Sequence, residues 1–344
     1  MKKWLIAAVS LAIAIILFMY SNTEAKAAGM TLGYTTGDTA SYNSLVKYHT
    51  YMNSIATDTF AFEKNGQIIG DAPTKQLTYA KKKNIKTWAV ISNYNDTIYD
   101  FDGDLASRVM RHHTAKKRFT DQLIALAKKH SYYGINIDFE AVNPEDRSTY
   151  SRFIQDVTQA LKKKQIKTMV SVPAKSADDQ NDDWSWPYDY AKIGQYADYV
   201  QVMTYDEHGI WGEPGSVASG GWIKSALQFA AKNIKANKVI MGIPAYGYDW
   251  DTKDESGSAM REWNELKTLI NKQKAKPIFN KTSGSMTFSY VDKKKHKHVV
   301  WYENEKTVQS KSHLAKQFKI AGVSVYALGN ESESFWKAIR KGTK

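Results

Sequence analysis

The chain has 344 residues, 42% hydrophobic and 24% charged, which is ample material for a large core and carries no compositional sign of disorder. Its formal net charge is +13 and it holds no cysteine, which excludes disulfides, thiolate metal sites, a cysteine nucleophile and a lipoprotein anchor. A basic balance without a nucleic-acid-binding motif points away from DNA and RNA and toward an anionic polymer or surface.

In chain order, Lys2 and Lys3 precede an apolar run from Trp4 to Tyr20, then a polar stretch and Ala25-Lys26-Ala27. This is the pattern of an export leader with a small-residue cleavage site, so residues 1 to 27 are expected to be a signal peptide. The apolar run is longer than a usual leader core, which makes an uncleaved membrane anchor the alternative. The remainder, 28–344, is expected to be secreted or held at the cell envelope. It stays basic without the leader, so an anionic cell-wall polymer would attract it. Three lysine runs, Lys81 to Lys83, Lys162 to Lys164 and Lys293 to Lys295, contribute to that charge, although such runs are ordinarily solvated helix ends or loop tips.

Past the leader, short β-branched and aromatic runs alternate with helical stretches, the order of a parallel sheet with crossover helices. Strands are predicted over Thr31 to Thr35, Ile55 to Phe62, Ile85 to Ser92, Gly134 to Phe139, Lys167 to Pro173, Tyr199 to Thr204, Val239 to Pro244 and Gly322 to Leu328. Eight strands are the count of an α/β TIM (β/α)8 barrel. An open doubly wound sheet would usually carry a glycine-rich phosphate turn after its first strand, and Gly33-Tyr34-Thr35-Thr36-Gly37 lacks that spacing. Asn143 is placed to cap a helix opening with Pro144, Glu145 and Asp146, and Tyr150, Phe153, Ile154, Val157 and Leu161 give that helix an apolar stripe. Residues 249 to 311 are too long for one crossover and read as a small β-rich insertion after the seventh strand, within a single domain.

The segment Tyr133-Gly134-Ile135-Asn136-Ile137-Asp138-Phe139-Glu140 carries the chemistry. Alternate side chains of a strand share a face, so Asn136, Asp138 and Glu140 point one way and Ile135, Ile137 and Phe139 the other. With the apolar face against helices, the polar face points into the barrel and Glu140 reaches the carboxyl end, where barrel enzymes do their chemistry. Two acids so close cannot both ionise freely, which suits Glu140 to act as a general acid near neutral pH. His112, His113, His208, His296 and His298 form no ligand spacing with these acids, so neither a metal nor another cofactor is expected.

This segment resembles the D-G-x-D-x-D-x-E motif of glycoside hydrolase family 18, the chitinase-like family. Gly134, Asp138 and Glu140 match, while Tyr133 replaces the first aspartate and Asn136 the middle one. Asparagine there is similar to the branch associated with spore-cortex and peptidoglycan turnover. Val202-Met203-Thr204-Tyr205-Asp206 resembles the family's sixth-strand M-x-Y-D, and Met241 to Gly247 its seventh-strand G-x-P-x-Y-G. Two further blocks, Val300 to Glu303 and Gly322 to Gly329, resemble the last two family blocks, with Tyr326 where many relatives have tryptophan.

The resemblance implies a glycosidase that uses the substrate's own N-acetyl oxygen as nucleophile. Glu140 would be the proton donor, Asp138 would orient the acetamido group and Tyr205 would bind its carbonyl. Asn136, Asp206, Tyr246, Trp250 and Tyr326 would contact or support the sugar. The expected substrate is N-acetylated polysaccharide, with peptidoglycan or cortex fragments ahead of chitin oligomers, and the chain is expected to act as a monomer. Tyr34, Phe62 and Trp88 also lie near predicted strand ends, and Trp184, Trp186 and Trp211 in loops, where rings could stack on sugars. A catalytically silent barrel that only binds envelope glycan is the competing reading.

Overall fold

The computed structural model describes residues 29–344, and the expected signal peptide lies outside them. Eight parallel strands form the barrel: β1 (Met30–Thr35), β2 (Ser54–Phe62), β3 (Lys86–Ser92), β4 (Gly134–Asp138), β5 (Lys167–Pro173), β6 (Tyr199–Met203), β7 (Val239–Pro244) and β8 (Gly322–Tyr326). Each pairs with its sequence neighbours, and β8 pairs with β1, so the sheet closes on itself. Every predicted strand is present, with ends displaced by no more than two residues. No helix among the described residues is long and apolar enough to cross a membrane.

The barrel has two apolar compartments. Leu32, Tyr34, Ala56, Trp88, Val90, Met169 and Ile240 fill its interior. A larger layer containing Ile55, Ile91, Ile135, Ile137, Phe139 and Val170 lies between strands and outer helices. Phe139 sits among Phe62, Phe119 and Phe153, with ring centroids 4.9, 5.9 and 5.4 Å away. This cluster fixes the backbone one residue before Glu140, and truncating a buried phenylalanine of this kind costs about 3–5 kcal/mol.

At the opposite end of β4, Gly134 pairs with Trp88, and a Cβ added there would lie 2.4 Å from the indole. Close approach to Trp88 therefore requires glycine at this position. Tyr133 packs edge-on against the same indole at the strand N-terminal end of the barrel. Seven steps of extended chain separate it from Glu140, at most about 23 Å. The Tyr133 departure from the family motif thus touches the closed bottom of the barrel and leaves the mouth alone.

Two expectations need correction. Asn143 does not cap the following helix with its side chain; its amide instead donates to Asp104 Oδ1 at 2.9 Å. Pro144–Asp146 is a 3-10 turn, and the α-helix runs from Arg147 to Lys162 with the predicted stripe buried. The insertion runs over 246–302 rather than 249–311. Its antiparallel strands are Tyr246–Asp251, Ala259–Glu262, Ile278–Asn280, Ser285–Val291 and Lys297–Tyr302, with one helix at Trp263–Gln273. Residues 305–311 belong to a helix, Glu305–Gln317, which an Asn304/Thr307 capping box starts and which returns the chain to β8.

Candidate active site

β4 delivers its alternating polar face as the pattern requires. Asn136 is fully buried inside the barrel, accepts a hydrogen bond from the Tyr34 hydroxyl (2.7 Å) and donates to Ser171 Oγ (2.9 Å). Two residues on, Asp138 Oδ1 is buried without a hydrogen-bond partner among the described residues. Burial, reinforced by the charge of Asp58, pushes the Asp138 carboxyl up to about 7, with the Ser171 hydroxyl offsetting part of the rise. Glu140 is raised well above the ordinary range, first by burial and then by Asp138, Asp206 and Asp58. The charges that act on each of these acids are thus other carboxylates, so the pair favours states that hold a proton.

Both backbone groups of Glu140 are clamped by one side chain. Asn93, just past β3, accepts from the Glu140 amide (2.8 Å) and donates to its carbonyl (2.7 Å). The Tyr188 hydroxyl donates to the preceding carbonyl, of Phe139, at 2.9 Å. These bonds hold the catalytic candidate on rigid supports, as a site requiring sub-ångström placement needs.

The remaining predicted residues meet here with one exception. Tyr205 stacks on Tyr326, centroids 6.1 Å apart and planes inclined by 28°, and Tyr326 also packs on Tyr34. Gly242 makes room for Tyr205, since a Cβ at that position would lie 2.6 Å from its ring. Asp206, in the left-handed region at φ 61°, accepts from the hydroxyls of Tyr246 (2.7 Å) and Tyr248 (2.9 Å). Burial raises its pKa and these two bonds oppose the rise. Trp250 is the exception. It is 3% exposed, and its indole N–H is shared between the carbonyls of Gly209 (3.1 Å) and Gly212 (3.0 Å), so it supports a loop and offers no open ring face. Phe62 and Trp88 are likewise core residues, whereas Trp184 and Trp211 are exposed in loops.

Sequence reading passed over Asp58, Asn93, Ser171 and Tyr248. Asp58 lies on the inward face at the mouth end of β2, with burial raising its carboxyl and the Tyr326 hydroxyl 3.4 Å away. Its signal is a lone acid in register with Ala56 on a strand of otherwise small and apolar residues. Asn93 and Ser171 carry no comparable signal, because their roles exist only through contacts with β4. No group of three or more His, Asp and Glu among the described residues is arranged to hold a metal ion.

A closed (β/α)8 barrel whose mouth gathers desolvated, proton-retaining carboxylates and a cluster of tyrosines is the architecture of a barrel glycosidase. The model for glycosyl hydrolases family 18 matches residues 30–331, and the chain belongs to that family. It is 88% identical to the uncharacterized glycosylase YvbX of Bacillus subtilis (strain 168), over the whole of both chains. It is 24% identical to the cortical fragment-lytic enzyme of the same organism, covering 83% of this chain and 67% of that one. Among solved structures, a chitinase from Chromobacterium violaceum superposes with a TM-score of 0.87 at 34% identity, covering 92% of this chain and 99% of the other.

Proposed function

We propose that this glycosidase cleaves N-acetylglucosamine-containing glycan, peptidoglycan or spore-cortex fragments ahead of chitin oligomers, by a substrate-assisted retaining mechanism with Glu140 as proton donor. One observation carries the reading: Glu140, its carboxyl raised by burial and by neighbouring acids, stands at the barrel mouth beside Asp138, whose buried Oδ1 has no partner among the described residues. A buried acceptor left unpaired is costly, and a substrate acetamido N–H would relieve that cost.

In this mechanism Glu140 gives its proton to the leaving glycosidic oxygen while the acetamido oxygen attacks the anomeric carbon. Asp138 orients the acetamido group and, as the carboxylate, offsets the positive charge of the cyclic intermediate. The Tyr205 hydroxyl hydrogen-bonds the acetamido carbonyl. Glu140, now ionised, then takes a proton from the water that opens the intermediate. Asn136 anchors the row through Tyr34 and Ser171, but an amide cannot share the charge of Asp138. Tyr326 and Tyr205 form the floor of the sugar site, and Asp206 and Tyr246 its supporting wall.

Asn136 at the middle motif position and the similarity to a cortical fragment-lytic enzyme favour a wall substrate over chitin. Export through the leader would bring the barrel to that substrate. The test is digestion of N-acetylated peptidoglycan fragments and chitin oligomers by the wild type and Glu140→Gln, with products read by mass spectrometry. Cleavage by the wild type alone supports the assignment. Binding without cleavage by either protein would replace the enzyme with a glycan-binding barrel for those substrates.

A further inference from the structure

The short loops at the two ends of the barrel differ in charge. At the mouth, loops 92–103 and 203–219 contain several acids and no lysine or arginine, and loop 174–189 contains one cation, the buried Lys175, among its acids, whereas the insertion after β7 is itself rich in lysine. At the other end, loops 79–87, 126–134, 160–168, 230–239 and 314–322 contain no acid and at least two lysines each, and the short loop before β6 adds one acid, Asp198, paired with Lys167 at 2.7 Å. Lysine in the last turn of a helix is expected from the helix dipole, which acts only over that turn. Here the lysines continue past the helices: exposed Lys86, Lys235 and Lys319 lie beyond the helix ends, on loops or at a strand start. Complementing the dipoles therefore does not account for them.

Two further observations bear on what this face meets. Between the ends of helices Thr74–Lys82 and His113–His130 lies a cavity of about 520 Å³ lined by Lys81, Lys86, Lys129, His130 and Tyr133, a recess of headgroup size with cations on its rim. The chain also enters the fold on this face. The Met30 amide donates to the Ala321 carbonyl (2.8 Å), and Gly29 accepts from the Asn53 amide (3.2 Å), both at the bottom loops. The apolar run from Trp4 to Tyr20 precedes Gly29 by residues 21–28, which can span at most about 28 Å. Anything that holds the run thus faces the lysine-rich end of the barrel.

We propose that the strand N-terminal face of the barrel docks on an anionic lipid bilayer, with the catalytic mouth directed away from it. A ring of separate short loops around one end of a barrel presents a broad face, which suits a flat surface. Each lysine near an anionic bilayer adds roughly 1 kcal/mol of attraction, fading within a Debye length. The chain's entry at the bottom loops sets the orientation. This proposal does not depend on which glycan is cut.

Because the barrel closes and its core is complete within residues 29–344, that segment can be tested apart from the apolar run. The measurement is co-sedimentation with vesicles of phosphatidylcholine containing about one third phosphatidylglycerol, and with phosphatidylcholine alone, at low and high salt. Binding is expected only to the anionic vesicles and is lost at high salt. Lys81→Glu/Lys86→Glu/Lys129→Glu/Lys235→Glu should weaken it on the order of a hundredfold or more. Lys293→Glu/Lys294→Glu, on an insertion that leaves the mouth end of β7, should leave it near wild type. Both variants are first checked for wild-type melting; the salt and lipid dependence of the wild type tests the proposal if a variant does not fold. Absence of anionic vesicle binding would overturn it, as would equal losses in both variants. Retention by soluble poly(glycerol phosphate) without vesicle binding would also overturn it, in favour of a wall polymer.

Discussion

Two groups of acids in this molecule are treated in opposite ways. At the barrel mouth, burial raises Asp58, Asp138, Glu140 and Asp206, and the charges that press on Glu140 are other acids. In the insertion, Asp249 is fully buried but accepts from Arg261 Nε and Nη2 (3.0 and 2.9 Å) and the Tyr290 hydroxyl (2.8 Å), with His298 Nδ1 at 2.9 Å. Its neighbour Asp251 resists the upward push of burial and is held at about 2 by His296 and by the amides of Lys253 and Asp254. Carboxylates in the insertion sheet are paired with cations, whereas those at the mouth press on one another without a cation beside them. Burial alone therefore does not mark a functional acid; burial without opposite charge does.

The contrast can be broken most directly at Glu140. Glu140→Gln should lower turnover on the cleaved glycan on the order of a thousandfold while leaving the melting temperature unchanged or higher, measured by product mass spectrometry and a thermal melt. In the insertion the outcome reverses. Arg261→Ala leaves a buried carboxylate short of its cation and should cost about 3 kcal/mol, read from the denaturant midpoint at neutral pH.

A milder test lies at Asp138, whose pKa is raised from 3.8 to about 7 on folding. While pH stays below the unfolded value the group is protonated in both states and costs nothing. As pH rises toward 7 the unfolded chain ionises first, so stability is lost across that window. Asp138→Asn should therefore melt higher than wild type, on the order of 3 °C at pH 7, with the difference vanishing near pH 4. The smallest expected effect is at Asp206, whose charge helps raise Glu140. Asp206→Asn should move the alkaline limb of the pH–activity profile to lower pH, and a limb that stays in place would remove Asp206 from the proton-holding cluster.

The alternation of Asn136, Asp138 and Glu140 against Ile135, Ile137 and Phe139 was readable because a strand has only two faces, and only one of them could be apolar and packed. The barrel strands were readable for a related reason, since each buried run carries its own β-branched signature. The sequence by itself determined the barrel, the row of polar residues on β4 and the basic balance. It could not place Asp58 beside Asp138, close Asn93 around the backbone of Glu140, or bury the indole of Trp250 under a loop. Those contacts join residues from 38 to 80 positions apart, and only the folded barrel brings them together. Tertiary structure also gathered lysines from five separate loops onto one face. Local pattern decides which way a side chain points, while the partner it meets is decided by the chain's return from far away.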